Sequence, residues 1–325
     1  MNYIGSKQKL APWIKSVVDE VFKGDLKEAV FADIFAGTGQ VARNFKKHVK
    51  KVIVNDLEKY SFILNSHYIG NTNKLVEPNI SIVEREGLIY NNFSPKSTIQ
   101  RKYFTEENAK LIDGIRLEVE NQFKTGEISL NQYNWALASL IESSDKVANT
   151  ASVYGAFLKE FKKSALKILD FKLIPYEITE QTNEIYQQDA NELIKTIKGN
   201  VLYLDPPYNN RQYGANYHVL NRIAENVAFK SEKITGLSDY NKSNYCKKDK
   251  VFQEFDELIK NADFEYIFIS YNNEGLIKES EFKDMLKKYG QYSLYQKEYK
   301  RFKADSKRLG QAPTTFEHLH VLIKK

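Results

Sequence analysis

A single cysteine, Cys246, stands in the 325 residues, which excludes an internal disulfide and any Cys-rich metal cage. No apolar run approaches the ~20 residues that cross a bilayer. The opening MNYIGSKQKL lacks an apolar stretch behind a basic one, so no signal peptide is expected. There is no internal repeat and no low-complexity tract. Together these absences predict a soluble cytoplasmic protein with no membrane partner and no metal.

What is present is ordinary for a globular chain: 42% hydrophobic and 28% charged residues, enough for one large core with an insertion or for two domains. The net charge of +6 says little about partners. Its distribution says more. Six cations (Lys297, Lys300, Arg301, Lys303, Lys307, Arg308) lie between Tyr295 and Gly310 against Glu298 and Asp305, and five lysines lie between Leu158 and Lys172. Such clusters suit nucleic-acid contact or a solvated loop.

Along the chain, AVFADIFAG (Ala29–Gly37) is an apolar run ending in glycine, followed by Val41, Ala42 and Phe45 at helical spacing. KKVIVNDLE then ends a β-branched run in Asn55-Asp56. Strand, glycine turn, helix, strand and acid open a doubly wound nucleotide-binding sheet. Further buried strands are predicted at Glu184–Gln188, Val201–Asp205 and Tyr266–Tyr271, with helices at Ala190–Ile197 and Val251–Lys260. Tyr292–Phe302 and Thr315–Ile323 are expected to close the sheet as an antiparallel pair. The fold class is therefore α/β, Rossmann-like and mostly parallel. From 83 to 175 the rhythm breaks. Helices are predicted from Thr105, from Ser129 and over Val153–Ile168, making an inserted helical lobe between the domain pieces 1–82 and 176–325. A second interruption, Phe229–Lys250, is expected to be an exposed loop.

Asp205-Pro206-Pro207-Tyr208 follows the strand VLYL. Asp-Pro and Pro-Pro end many strands as plain turns. Two prolines after a buried strand also fix φ twice, holding a carboxylate, the Pro206 carbonyl and the Tyr208 ring together where open sheets bind ligands. That set fits a planar amino nitrogen, whose lone pair is delocalised. Asp205 and the Pro206 carbonyl can each accept one N–H, turning the lone pair toward a methyl donor, while Tyr208 offers a face on which a flipped base stacks.

In Asp33-Ile34-Phe35-Ala36-Gly37-Thr38-Gly39, G-x-G alone is a weak signal and the third glycine of a dinucleotide site is replaced by Ala42. Asp33 is placed to meet an ammonium group. Asp56 either binds ribose hydroxyls or caps the next helix, and Asp189 either neighbours a bound adenine or caps a helix.

Taken in order, Tyr3-Ile4-Gly5-Ser6-Lys7, FADIFAGTG, NDLE, QDA, DPPY and Asn209-Asn210-Arg211-Gln212-Tyr213 resemble the Dam-like class of DNA adenine-N6 methyltransferases. The resemblance implies S-adenosylmethionine as methyl donor, held by Tyr3, Lys7, Asp33, Phe35, Gly37, Gly39, Asp56, Leu57, Asp189 and Asp205. It implies Asp205, Pro206, Pro207 and Tyr208 as the catalytic set and 83–175 as a target-recognition lobe. One departure is Asp189-Ala190, where the class has Asp followed by an aromatic. Double-stranded DNA is the expected partner, contacted by Arg211, Gln212, Lys247, Lys248, Lys300, Arg301, Lys303, Lys307 and Arg308. Asn149 and Thr150 either read base edges or cap helices. A companion restriction endonuclease acting separately is expected, and a monomer or weak dimer. The rivals fit less. Cytosine-N4 enzymes usually carry Ser in place of Asp205 and glutamine enzymes Asn, while RNA adenine stays open. A nicotinamide oxidoreductase leaves DPPY unexplained and has no His beside a motif. A DNA-binding protein without catalysis would not need intact motifs.

Overall fold

The computed structural model describes residues 3–231, 233–300 and 314–325. Its elements begin with α1 (Ala11–Val21), β1 (Val30–Asp33), α2 (Gln40–Phe45), β2 (Lys51–Asn55) and α3 (Lys59–Asn65). Three helices follow, α4 (Leu88–Phe93), α5 (Glu106–Lys124) and α6 (Leu130–Val147). Next come β3 (Glu184–Tyr186), α7 (Ala190–Leu193), β4 (Lys198–Leu204), α8 (Tyr213–Asn216), α9 (His218–Glu225) and α10 (Val251–Asn261). Then follow β5 (Asp263–Asn272), α11 (Glu279–Lys287), β6 (Gly290–Lys300) and β7 (Thr314–Lys324). Among the described residues no helix is long and apolar enough to cross a membrane.

The chain divides into two compact units. The sheet unit comprises Gly5–Leu57, Thr179–Gln212 and the described part of Lys242–Lys325. Its seven strands lie in the order β3-β2-β1-β4-β5-β7-β6. The first five are parallel to one another, and β7 runs antiparallel between β5 and β6. This is the expected α/β Rossmann-like sheet with an antiparallel closing pair. Continuous apolar runs make the parallel strands because both faces are covered: on one, Ala32, Ile53, Leu202 and Ile267 pack with Leu193, Phe255, Leu258 and Phe282, and on the other Phe31 stacks on Phe45 of α2 at 4.0 Å. Full burial of each large side chain contributes about 1.5–3 kcal/mol. Since β2 and β4 flank β1 on opposite sides, the strand order reverses there, and a crevice opens past the carboxyl ends of β1 and β4. Asp33 is in register with Tyr203, two residues before Asp205.

The helical unit comprises Tyr3 and Ile4 with Glu58–Ile178 and Tyr213–Asn241. Thr105 caps α5 through the Asn108 N–H, and Ser129 with Gln132 forms a capping box on α6, as their sequences predict. Gly114 lets α5 close on the chain at Val83, whose carbonyl oxygen would lie 1.6 Å from a Cβ there.

Three expectations need correction. The division falls at Glu58 and Ile178 and adds Tyr213–Asn241, unlike the boundaries at 83 and 175. The reason is packing: Tyr60, Ile63 and Leu64 of α3 and Val219, Leu220 and Ile223 of α9 share one core with Ile112, Leu137 and Ile141. Val153–Ile168 is not a helix but a series of turns. Side chains take its backbone groups in place of a helical ladder. Asn108 donates to the Ala165 and Lys167 carbonyls and accepts from the Leu169 N–H, while Asn149 does the same for Leu158 and Lys162. Lastly, the Phe229–Lys250 interruption is anchored at Tyr245 and Cys246, both buried. The Tyr245 hydroxyl donates to Asn191 Oδ1 at 2.7 Å.

Candidate active site

The site is built at the carboxyl ends of β1, β2 and β4. After Asp33 the chain turns through Gly37 (φ +52°) and Gly39 (φ +72°), left-handed conformations that favour glycine, and Gly39 precedes α2. The turn is pinned from β2. Gly37 N–H donates to the Asp56 carboxylate at 2.8 Å, and Ala36 N–H donates to the Asn55 carbonyl at 3.0 Å. Asn55, buried, gives its side-chain N–H groups to the Ile34 and Gln188 carbonyls and accepts from the Gln188 N–H, tying three strand ends together. Asp56 is not a helix cap: α3 starts at Lys59 with Glu58 at the cap position.

Charge concentrates beside this turn. Lys7 Nζ donates to Asp205 Oδ1 at 2.8 Å and lies 3.3 Å from Glu317 Oε1. Side-chain exposure is 7% for Lys7, 17% for Asp205 and 2% for Glu317, so three charges share a nearly dry site. Burial pulls the Lys7 amine down, but Asp205, Glu317 and Tyr203 outweigh it and hold the amine well above its usual range. Burial pushes Asp205 up to about 6, opposed by Lys7 and reinforced by Glu317. Asp33 is held well above the carboxylate range by burial, then by the charges of Asp205 and Asp56, against backbone N–H groups at Phe35 and Ala42. Its Oδ1 is buried and, among the described residues, has no hydrogen-bond partner. Two further carboxylates share one ammonium, so the site as a whole lacks positive charge. A cationic ligand fits it.

In the Asp-Pro-Pro-Tyr segment, Pro206 is buried and Tyr208 half-buried. The Tyr208 ring meets Tyr271 edge-on at 6.4 Å, and its carbonyl accepts from Leu276 N–H at 3.0 Å. The segment is therefore braced by the chain following β5.

Of the other expected cofactor residues, Phe35 packs edge-on against Tyr245 at 5.0 Å, and the Leu57 carbonyl accepts from Gln187. Asp189 is exposed and caps α7, its Oδ1 accepting from the N–H groups of Asn191 and Glu192. Tyr3 lies in the helical unit, stacked on Tyr217 at 4.8 Å with its hydroxyl bonded to Tyr60. Among the expected DNA contacts, both ends of the Gln212 amide are engaged by the Ser243 backbone. Arg211 lies under Cys246, whose thiol donates to its carbonyl. Lys247 donates to Asn244 Oδ1, and Lys248 is exposed. Lys300 ends β6; Arg301, Lys303, Lys307 and Arg308 lie outside the described residues. Asn149 is fully buried and holds the loop of the helical unit, and Thr150 is buried beside it, so neither is presented to base edges.

Sequence reasoning missed Glu317 and Asn55. Nothing local singles out Glu317, because β7 is buried on both faces from Glu317 to Leu322. An acid on such a face needs a partner, and Lys7 is that partner.

Comparison with known proteins agrees. Residues 3–285 match the D12 class N6 adenine-specific DNA methyltransferase family. The type II methyltransferase M.NlaIII of Neisseria lactamica is 49% identical over 332 residues, spanning 100% of this chain and 99% of the relative. M.CviAII of Paramecium bursaria Chlorella virus 1 is 37% identical over 95% of both chains. M.FokI of Planomicrobium okeanokoites is also 37% identical, over 94% of this chain and 50% of its own length. A carboxylate followed by two prolines and a tyrosine at the switch point of a mixed sheet, in a sequence matched almost throughout, places this chain in the D12 class of N6 adenine-specific DNA methyltransferases.

Proposed function

We propose that the chain methylates N6 of an adenine flipped out of duplex DNA, with S-adenosylmethionine as donor and Asp205-Pro206-Pro207-Tyr208 as the catalytic segment. The observation that carries this is the Asp205 carboxylate at the end of β4, with the charge of Asp205 acting on Asp33, whose buried Oδ1 has no hydrogen-bond partner among the described residues. When bound, the donor supplies an electrophilic methyl group on a sulfonium and carries a second positive charge on its ammonium. Asp33 would hold the ammonium, Gly37 and Gly39 would let backbone approach, and Asp56, which braces the turn, lies where a ribose would be met. Asp205 and the Pro206 carbonyl accept the two N–H groups of the target amine. Asp205 then opposes the positive charge that develops on nitrogen and accepts its proton. Tyr208 stacks on the base.

The helical unit is assigned to target recognition, and Arg211, Lys247, Lys248, Lys300, Arg301, Lys303, Lys307 and Arg308 to phosphate contact. The named relatives are type II methyltransferases, which supports assigning the chain to a restriction–modification system; a separately acting endonuclease is part of the same proposal. The protein is assigned to the cytoplasm as a monomer or weak dimer. The test is labelled donor with either duplex DNA or total RNA: label is expected in duplex DNA, and label only in RNA would overturn the reading. Asp205→Ala should cut transfer by at least about a thousandfold in a protein that still folds; retained transfer removes the central claim.

A further inference from the structure

Lys7 stands between two carboxylates that differ in what surrounds them. Asp205, 2.8 Å away, belongs to the catalytic segment and is the more open of the two. Glu317, 3.3 Å away on β7, is almost completely buried and is held by the Ser270 hydroxyl of β5, which donates to the same Oε1. Glu317 also lies beyond residues 3–285, over which the family match runs. Among the described residues its one ion-pair partner is Lys7.

The Lys7 ammonium in its present place obstructs the chemistry assigned to Asp205. It occupies one of the acceptor positions of that carboxylate and weakens the rest, because a full cation already satisfies the charge. It would also face the positive charge growing on the target nitrogen. Lys7 cannot simply withdraw to water, since it is buried and would leave two carboxylates uncompensated. Glu317 supplies the alternative. Coulomb attraction changes only as the inverse of distance, so two carboxylates at these separations hold the ammonium almost equally, and a shift of under one ångström reverses the preference.

We propose that Glu317 is a positioning residue that draws the Lys7 ammonium off Asp205 when the target amine arrives, freeing the carboxylate to accept an N–H. This rests on the reading of Asp205 as the acceptor. Among the described residues the groups facing Asp205 are Lys7 from the segment before α1, Glu317 from β7, Tyr203 from its own strand and Asp33 from β1, and Tyr299 of β6 faces both Glu317 and Lys7. Glu317 is the neighbour whose charge keeps the Asp205 proton on, and Lys7 the one that drives it off.

The experiment compares Glu317→Gln, Glu317→Asp and Asp205→Ala with the native protein in steady-state methylation across pH. In the native protein kcat should fall as pH drops through about 6, where Asp205 takes up its proton. Glu317→Gln should lower kcat roughly ten- to hundredfold, because Lys7 stays on Asp205. It should leave KM for donor and DNA within about threefold and move the acid limb about one unit lower, because a charge that favoured protonation is gone. Glu317→Asp should restore the native limb and part of kcat. A Glu317→Gln protein with native kcat and native acid limb, alongside an inactive Asp205→Ala, overturns this inference and leaves the acceptor reading standing; an active Asp205→Ala overturns the acceptor reading itself. A readout independent of turnover and of variant folding is the crystal structure of the native protein with S-adenosylhomocysteine and a duplex carrying a mapped target adenine. Lys7 Nζ is expected within hydrogen-bond distance of Glu317 and detached from Asp205. Lys7 still bonded to Asp205, with the target amine in place, overturns the inference.

Discussion

Both units of the molecule bury charge, but they treat it differently. In the helical unit Arg101 donates to the carbonyls of Asn92, Ser231, Lys233 and Ile234, and Arg116 to those of Ile223 and Ala224 as well as to Glu120. Asp113 accepts from the N–H groups of Gly87, Ile89 and Tyr90, capping α4 from α5. Each of these charges is matched by groups of fixed position, and each joins chain segments distant in sequence. In the sheet unit, by contrast, Asp33 has an oxygen with no hydrogen-bond partner among the described residues, and two carboxylates divide one lysine. Saturated buried charge holds a fold together; unsaturated buried charge waits for a ligand.

The contrast can be broken from either side. Arg101→Met should have the largest effect on stability, about 3 kcal/mol lost in urea unfolding, because four carbonyls lose their donor while the core keeps its volume. A loss near zero would mean that the loop it holds contributes nothing to the unit. Asp33→Asn should do the opposite in the sheet unit. Removing an uncompensated buried acid should raise stability by about 1 kcal/mol, while the dissociation constant for S-adenosylmethionine, read by calorimetry, rises roughly tenfold or more. If stability falls and binding holds, Asp33 belongs with the structural charges. The smallest effect concerns cations outside the core, Lys247 half-buried and Lys248 exposed. Replacing Lys247 or Lys248 by Ala should leave stability unchanged and reduce the slope of log affinity for duplex DNA against log salt by about one unit each. An unchanged slope removes them from the interface.

How legible each charge was in the sequence followed from the distance to its partner. Asp33 and Asp205 sit next to the glycine turn and the double proline, which announce a strand end by local chemistry alone. The parallel strands were legible for the same reason, since covering both faces leaves an apolar run that needs no partner to be recognised. Glu317 was not, because its meaning lies in Lys7, at the other end of the described chain. Nor were the boundaries of the helical unit. Tyr60 and Leu220 read as ordinary amphipathic positions, and only packing assigns them to one core. The segment Val153–Ile168 has helical spacing, yet Asn108 and Asn149 capture its backbone, and nothing in its own residues signals that.

The placement of β7 between β5 and β6 carries a consequence in time. A chain made from its first residue onward has Lys7, Asp33 and Asp205 outside the ribosome well before Glu317. Until β7 emerges, β5 and β6 have no strand between them, and Glu317 is not yet there to face Lys7. On the reading proposed for Glu317, Lys7 gains its second carboxylate only when this last strand joins the sheet.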